Sequence, residues 1–164
     1  MSETTTAVQS SVVVEVPIER AFRVFTEDIG SWWPPEHHIL EGQLAEMVFE
    51  PRVGGHVYDR ATDGSECRWA RVLAFEPPHR IVISWDVSLQ WTLETDPSRT
   101  SEVEVRFSSE AADRTRVELE HRKIDRHGDG WEPMRDAVGS PDGWDAGLLA
   151  FAARLGSGSP ARSA

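Results

Sequence analysis

Residues 102–107 read Glu-Val-Glu-Val-Arg-Phe, and residues 114–121 read Arg-Thr-Arg-Val-Glu-Leu-Glu-His. In both stretches apolar side chains alternate with charged ones, which is the period of two expected when successive side chains point to opposite faces of a strand. The two stretches therefore predict an antiparallel sheet that has one face against the core and the other against water.

Further strand candidates precede this pair. They cover residues 44–49, 56–59, 67–75 and 80–85, whereas residues 89–95 are ambiguous between strand and loop. Asp63-Gly64 lies between the second and third candidates and is typical of a hairpin turn, because Asp-Gly supplies backbone with positive φ.

Helical patterns flank the strands on both sides. After a short β-branched strand at residues 12–16, apolar residues recur at helical spacing over residues 18–29, and Gly30 ends that helix. Ser140-Pro141 is a good helix start, and residues 144–155 carry an apolar face. This closing face has only the apolar side of the sheet to pack against, so we predict an α+β fold.

The chain has 164 residues, and at roughly 150 residues per domain this length fits one domain. Residues 1–10 are rich in Ser and Thr without periodicity, and residues 156–164 are low in complexity. Such ends are typical of flexible tails. We therefore predict a single folded domain over residues 11–155 between two flexible tails.

The net charge of the chain limits the kinds of partner that it can bind. Lys and Arg total 17 and Asp and Glu total 28, so the formal net charge is −11. A surface this negative repels phosphate backbones and anionic lipids, which argues against nucleic-acid and membrane partners. No apolar run reaches the roughly 18 residues of a membrane span, and the polar N-terminus is unlike a signal peptide. We therefore expect a cytoplasmic protein.

Metal and cofactor motifs are absent from the sequence. Cys67 is the single cysteine, which excludes an intramolecular disulfide and a CxxC zinc site. There is no HExxH motif, and the adjacent His37-His38 would point to opposite sides of a strand. The nearest cluster, His121, Asp125, His127 and Asp129, falls in a predicted loop. The sequence thus predicts neither a metal ion nor another cofactor.

Several segments occur in an order that is informative as a set. They are Val14 to Phe22, Trp32-Trp33, Gly54-Gly55, Asp63-Gly64, Trp69 to Arg80, Trp85, and Gly143-Trp144 with Leu148. Together they resemble the activator of Hsp90 ATPase homologue-like branch of the START-like or Bet v 1-like superfamily, over about residues 11–155. The resemblance implies a helix-grip fold, in which a curved antiparallel sheet wraps around a long C-terminal helix and leaves an internal cavity.

Tryptophan is unusually common, with 7 residues against a single tyrosine. In the implied fold, four of these indoles belong to segments that face the space between helix and sheet: Trp33, Trp69, Trp85 and Trp144. Large rings with one N–H donor each suit an apolar or aromatic ligand. The same rings would equally suit a core that fills the cavity, and the sequence leaves both interpretations open.

Two histidines complete the predicted ligand-binding set. His121 continues the inward face of its strand, where a polar group needs a partner, and it could bind a ligand or act as a general base. It is therefore the one catalytic candidate, although contact with backbone or solvent would explain it as well. His56 follows Gly54-Gly55 and has a similar status.

The leading hypothesis is a binding protein for an apolar or aromatic small molecule rather than an enzyme. One alternative is a polyketide-cyclase-like enzyme that uses the same cavity, since other branches of the superfamily bind lipids, hormones or polyketides there. The other alternative is a protein–protein adaptor in stress or chaperone pathways, which only the family label suggests. The sequence leaves a homodimer open.

Overall fold

The computed structural model describes residues 6–34 and 37–156. Seven strands are present: β1 (Val8–Val14), β2 (Leu44–Phe49), β3 (His56–Ala61), β4 (Glu66–Glu76), β5 (Arg80–Trp85), β6 (Ser101–Ala111) and β7 (Arg114–Arg122). The α-helices are α1 (Ile18–Thr26), α2 (Glu132–Val138) and α3 (Trp144–Arg154). Short 3-10 turns lie at Ile29–Ser31, Pro97–Arg99 and Ile124–His127.

The strands form one antiparallel sheet in the order β1-β7-β6-β5-β4-β3-β2. The alternating stretches of the sequence pair as β6 and β7, with Val103 opposite His121 and Val105 opposite Leu119. Register shifts interrupt the pairing of β2 with β3, β3 with β4, and β4 with β5. Such bulges bend a sheet, and here they curl it around the helices. The predicted α+β helix-grip fold is confirmed.

An aromatic cluster joins the helices to the sheet. Phe25 of α1 is central to it, with ring centroids 4.8 Å from Trp32, 5.6 Å from Phe107 and 5.2 Å from Phe151 of α3. The pairs with Phe107 and Phe151 are edge-to-face, an arrangement that stabilises aromatic pairs. This end of the space between helix and sheet is therefore filled.

The outer face of the sheet is charged, as the alternation predicts. Glu104 has only 4% of its side chain exposed and contacts Arg80, Arg106 and Arg122. Because guanidinium groups surround it, this carboxylate is compensated despite its burial. The outer face is accordingly a polar, solvated surface.

Two of the boundaries differ from the sequence prediction, and a third, the C-terminal tail, is not tested. β1 begins at Val8, within the predicted tail, because its backbone pairs with β7 and places Val8 opposite His121. Apart from Gly156, the predicted C-terminal tail lies outside the described residues. The closing helix begins at Trp144 rather than Pro141, because a tight turn precedes it: a Cβ on Gly143 would lie 2.2 Å from the Val138 carbonyl oxygen.

Candidate functional site

A cavity of about 460 Å³ lies between strands β3–β5 and the connection from α2 to α3. Residues 33–34 and 37–39 contribute another wall. Four predicted tryptophans line it, namely Trp33, Trp69, Trp85 and Trp144. The space beside these rings is open, whereas the phenylalanine cluster fills the other end of the core.

The four indoles form a closed ring of contacts. Trp33 lies 5.1 Å from Trp69 and 5.7 Å from Trp144, measured between ring centroids. Trp85 completes the ring, at 5.8 Å from Trp69 and 5.6 Å from Trp144. Because each ring is held by two others, the aromatic wall is preorganised for a flat ligand.

A fifth indole at this cavity, Trp91, was not anticipated from the sequence. It is 44% exposed and has a φ of 61°, a left-handed backbone conformation that is uncommon for a bulky residue. The loop is closed by a 2.7 Å hydrogen bond between the hydroxyls of Ser88 and Thr92. Trp91 therefore lies where the cavity meets solvent.

Three of the indole N–H groups that line the cavity have acceptors within the protein. Trp33 Nε1 donates to the His37 carbonyl at 2.7 Å, Trp69 Nε1 to Asp59 Oδ1 at 3.3 Å, and Trp144 Nε1 to His121 Nδ1 at 3.1 Å. Trp85 Nε1 is buried and has no hydrogen-bond partner in the described part of the chain. An unpaired buried donor is costly, and this one is covered by surrounding protein atoms rather than open to the cavity.

His38 and Asp59 form a polar part of the cavity wall. His38 Nδ1 lies 2.6 Å from Asp59 Oδ2, and the Asp59 side chain is 1% exposed. Sequence reasoning considered His38 only as a metal ligand and passed over Asp59. The available signal was an acidic residue that directly follows Val57 and Tyr58 on a strand; His38 itself lies in an irregular segment and gave none.

His121 lies behind the cavity instead of lining it. It is fully buried, and its ring centroid is 5.1 Å from that of Trp85 and 6.1 Å from that of Trp144. Burial, together with the nearby His127, lowers the pKa of His121 to about 3. The ring is therefore neutral at ordinary pH and acts as the acceptor that holds Trp144 in place.

A buried chain of hydrogen bonds extends from His121. Since Nδ1 accepts from Trp144, Nε2 carries the proton and donates to Ser101 Oγ at 2.7 Å. Ser101 in turn lies 2.8 Å from His127 Nε2. Burial also lowers the pKa of His127. The chain is a buried structural network, and it accounts for the polar groups on this inward face.

His56 lies apart from the cavity, at the start of β3. Its ring is half-buried, and Nδ1 is 3.7 Å from Glu50 Oε1. His56 does not line the cavity, so the predicted role in ligand binding finds no geometric support.

Neither Cys67 nor a metal cluster adds chemistry to the site. Burial raises the pKa of the Cys67 thiol to about 11, which keeps it protonated and unreactive. Across residues 6–34 and 37–156, no three His, Cys, Asp or Glu side chains are grouped so that they could hold a metal ion. That the protein binds no metal stays a prediction.

The family model for activator of Hsp90 ATPase homolog 1-like proteins matches residues 15–155. The chain belongs to this family. The resemblance found from the ordered segments is thereby confirmed over nearly the whole predicted domain. No curated protein sequence matches the chain significantly.

Solved structures of this shape are numerous. An anthrahydroquino-γ-pyrone synthase, Txn09, complexed with SUM, is 40% identical, with 94% of this chain and 99% of that chain covered and a TM-score of 0.65. The self-sacrificing resistance protein CalC from Micromonospora echinospora is 27% identical, with coverages of 91% and 93% and a TM-score of 0.64. Protein NE0264 from Nitrosomonas europaea, at 13% identity and a TM-score of 0.66, shares the fold alone; 97% and 99% of the chains are covered.

Membership of the Hsp90 ATPase activator homologue-like family leaves the partners of this chain open. Within the described residues no helix is long and apolar enough to span a bilayer. The cytoplasmic location, the absence of nucleic-acid partners, the homodimer and the chaperone link stay predictions.

Proposed function

We propose that this family member binds a flat, aromatic small molecule in the tryptophan-lined cavity. The observation that supports this proposal most strongly is the closed ring of four indoles beside about 460 Å³ of open space. Binding sites for small molecules commonly measure about 300–1,000 Å³ and are mostly apolar with a few placed polar groups. The His38–Asp59 pair supplies such a polar group.

The charges around the cavity favour a neutral ligand. Asp59 and Asp142 line it, and no Lys or Arg of the described chain does. With a formal net charge of −11, the protein as a whole also repels anions. A hydroxyl group can use the His38 ring, whereas a carboxylate or sulfonate would have no Lys or Arg to pair with.

The relatives support the aromatic character of the ligand. Txn09, at 40% identity, is by its name a synthase of a fused, oxygenated polycyclic aromatic. Carried to this chain, that name favours a hydroxylated polycyclic aromatic of polyketide type.

Quenching of tryptophan fluorescence by 2-hydroxyanthraquinone tests this proposal. Because the cavity holds five indoles, we expect saturable quenching with one site per chain. Trp85→Phe keeps most of the packing but removes part of the aromatic surface of the cavity wall, so it should weaken binding about 3- to 10-fold, the range expected for one aromatic contact.

Two controls sharpen the titration. Trp131→Phe changes an indole that does not line the cavity and should leave the dissociation constant unchanged. Anthraquinone-2-sulfonate, which adds a negative charge to the same ring system, should bind more weakly than 2-hydroxyanthraquinone. Quenching that rises linearly without saturation, equally in all variants, would contradict the proposal.

A second candidate function is ring-forming catalysis in the same cavity. The observation that favours it is the 40% identity to a synthase over 94% of this chain. Both functions need the same aromatic ligand, and they differ in whether a side chain of the cavity moves a proton.

A further inference from the structure

The geometry of His38 fixes which ring nitrogen carries the proton. Nδ1 lies 2.6 Å from Asp59 Oδ2, and a carboxylate only accepts hydrogen bonds, so Nδ1 carries the proton and donates. Nε2, on the opposite edge of the ring, then has a free lone pair. No side chain or backbone group in the described residues hydrogen-bonds to Nε2.

Asp59 is itself held in place. Its other oxygen, Oδ1, accepts the indole N–H of Trp69 at 3.3 Å, and the side chain is almost fully buried on β3. His38 and Asp59 both line the cavity, and the His38 side chain keeps 11% exposure. A histidine whose far nitrogen is bound to a fixed carboxylate is the arrangement that orients an imidazole as a base.

We infer that His38 is a general acid–base residue acting on a hydroxylated aromatic ligand in this cavity, with Asp59 as its positioning residue. The inference rests on the proposed binding function and adds to it a catalytic activity at named atoms. Its substrate class is a phenol that carries a conjugated ketone on the same molecule.

The proposed step is an intramolecular addition of the phenol to the conjugated ketone, and it conserves protons and electrons. His38 Nε2 takes the phenolic proton, and an electron pair of that oxygen forms a C–O bond to the β-carbon of the conjugated ketone. The C=C π pair moves to give an enolate. The α-carbon then takes the proton back from Nε2, so that the product is a ring-closed isomer and no oxidant or reductant is consumed.

The surroundings of His38 suit this cycle better than those of His121. The imidazolium formed midway lies against the Asp59 carboxylate, which stabilises the positive charge. His121 lacks a carboxylate partner, is sealed behind two indoles and has both ring nitrogens engaged by Trp144 and Ser101. The catalytic candidate named from the sequence is therefore replaced by His38.

The rate of ring opening of 5-nitrobenzisoxazole reports directly on proton abstraction by a base in an aromatic cavity. The base removes the proton on C3, the C–H electron pair forms the third bond of a nitrile, and the N–O bond breaks with its pair leaving on oxygen as a coloured phenolate. We expect the full chain to accelerate this reaction, and His38→Gln to lower the rate constant about 100-fold or more, as general bases contribute about 10²–10⁴-fold.

Asp59→Asn tests the positioning role. If the amide oxygen keeps the bond to Trp69, the NH₂ donates to His38 Nδ1, which moves the ring proton to Nε2 and removes the base. The rate should then fall by a factor similar to that of His38→Gln, with binding of 2-hydroxyanthraquinone changed only a few-fold. If the Asp59→Asn variant does not fold, the ring-opening rate of His38→Gln alone tests the inference.

The matched control is His79→Gln, which changes an exposed histidine in the turn between β4 and β5 and should leave the rate unchanged. Saturable binding of 2-hydroxyanthraquinone with equal ring-opening rates in the native protein and His38→Gln would overturn this inference and leave the binding function standing. Absence of saturable binding would overturn both.

Discussion

Trp144→Ala is expected to lower the free energy of unfolding by about 3–5 kcal/mol, the usual cost of truncating a buried tryptophan. Trp144 is 6% exposed and is the first residue of α3. Its ring contacts Trp33 and Trp85, and its N–H is the donor to His121 Nδ1. The substitution removes the link between the closing helix and the aromatic wall. Urea denaturation followed by circular dichroism measures the change.

Trp144→Phe separates packing from hydrogen bonding. Phenylalanine keeps most of the ring volume but leaves His121 Nδ1 without its donor, which should cost about 1–3 kcal/mol. An alanine variant within about 1 kcal/mol of the native protein would contradict the position of Trp144, because a loss that small is typical of a surface residue.

The second large effect is a loss of stability in mild acid. Unfolding exposes His121, whose pKa rises from about 3 in the folded protein to the ordinary 6.5. Below pH 6.5, His121 therefore binds a proton in the unfolded chain but not in the folded chain. At 1.36 kcal/mol per pH unit, this site should cost about 2 kcal/mol at pH 5 and about 4–5 kcal/mol near pH 3, and contribute nothing above pH 7.

Comparison with His121→Gln isolates this contribution. Glutamine offers an acceptor for Trp144 and a donor for Ser101 but does not titrate. The free energy of unfolding of the variant should fall less steeply from pH 6.5 to 5 than that of the native protein, while His127 keeps part of the slope because its pKa is also lowered. Carboxylates such as Glu104, whose pKa is lowered from 4.5, act mainly below this window. Equal slopes would contradict the buried, neutral His121.

The sheet could be predicted from the sequence because its physics is local. A strand with one wet face alternates apolar and charged side chains, and residues 102–107 and 114–121 do so without interruption. The start of α3 was misplaced because Ser140-Pro141 satisfies a local helix rule. The turn that delays the helix depends on contact between Gly143 and the carbonyl of Val138, which no local pattern reports.

In the candidate site, too, the sequence predicts residues on regular elements better than residues in irregular segments. Trp69, Trp85 and Trp144 lie on regular elements, and their position on the cavity follows from the periodicity of those elements. Trp91 and His38 lie in irregular segments, where the spacing of residues in the sequence does not indicate which way a side chain points. His121 was placed on the correct face of β7, but its depth behind Trp85 and Trp144 depends on the packing of α3.

A structure of the protein crystallised with 2-hydroxyanthraquinone tests the central claim most directly. We expect the ring system to lie within the wall formed by Trp33, Trp69, Trp85 and Trp144, with an oxygen within hydrogen-bond distance of His38 Nε2. A cavity that stays empty at saturating ligand, or a ligand bound only on the outer face of the sheet, would contradict the account.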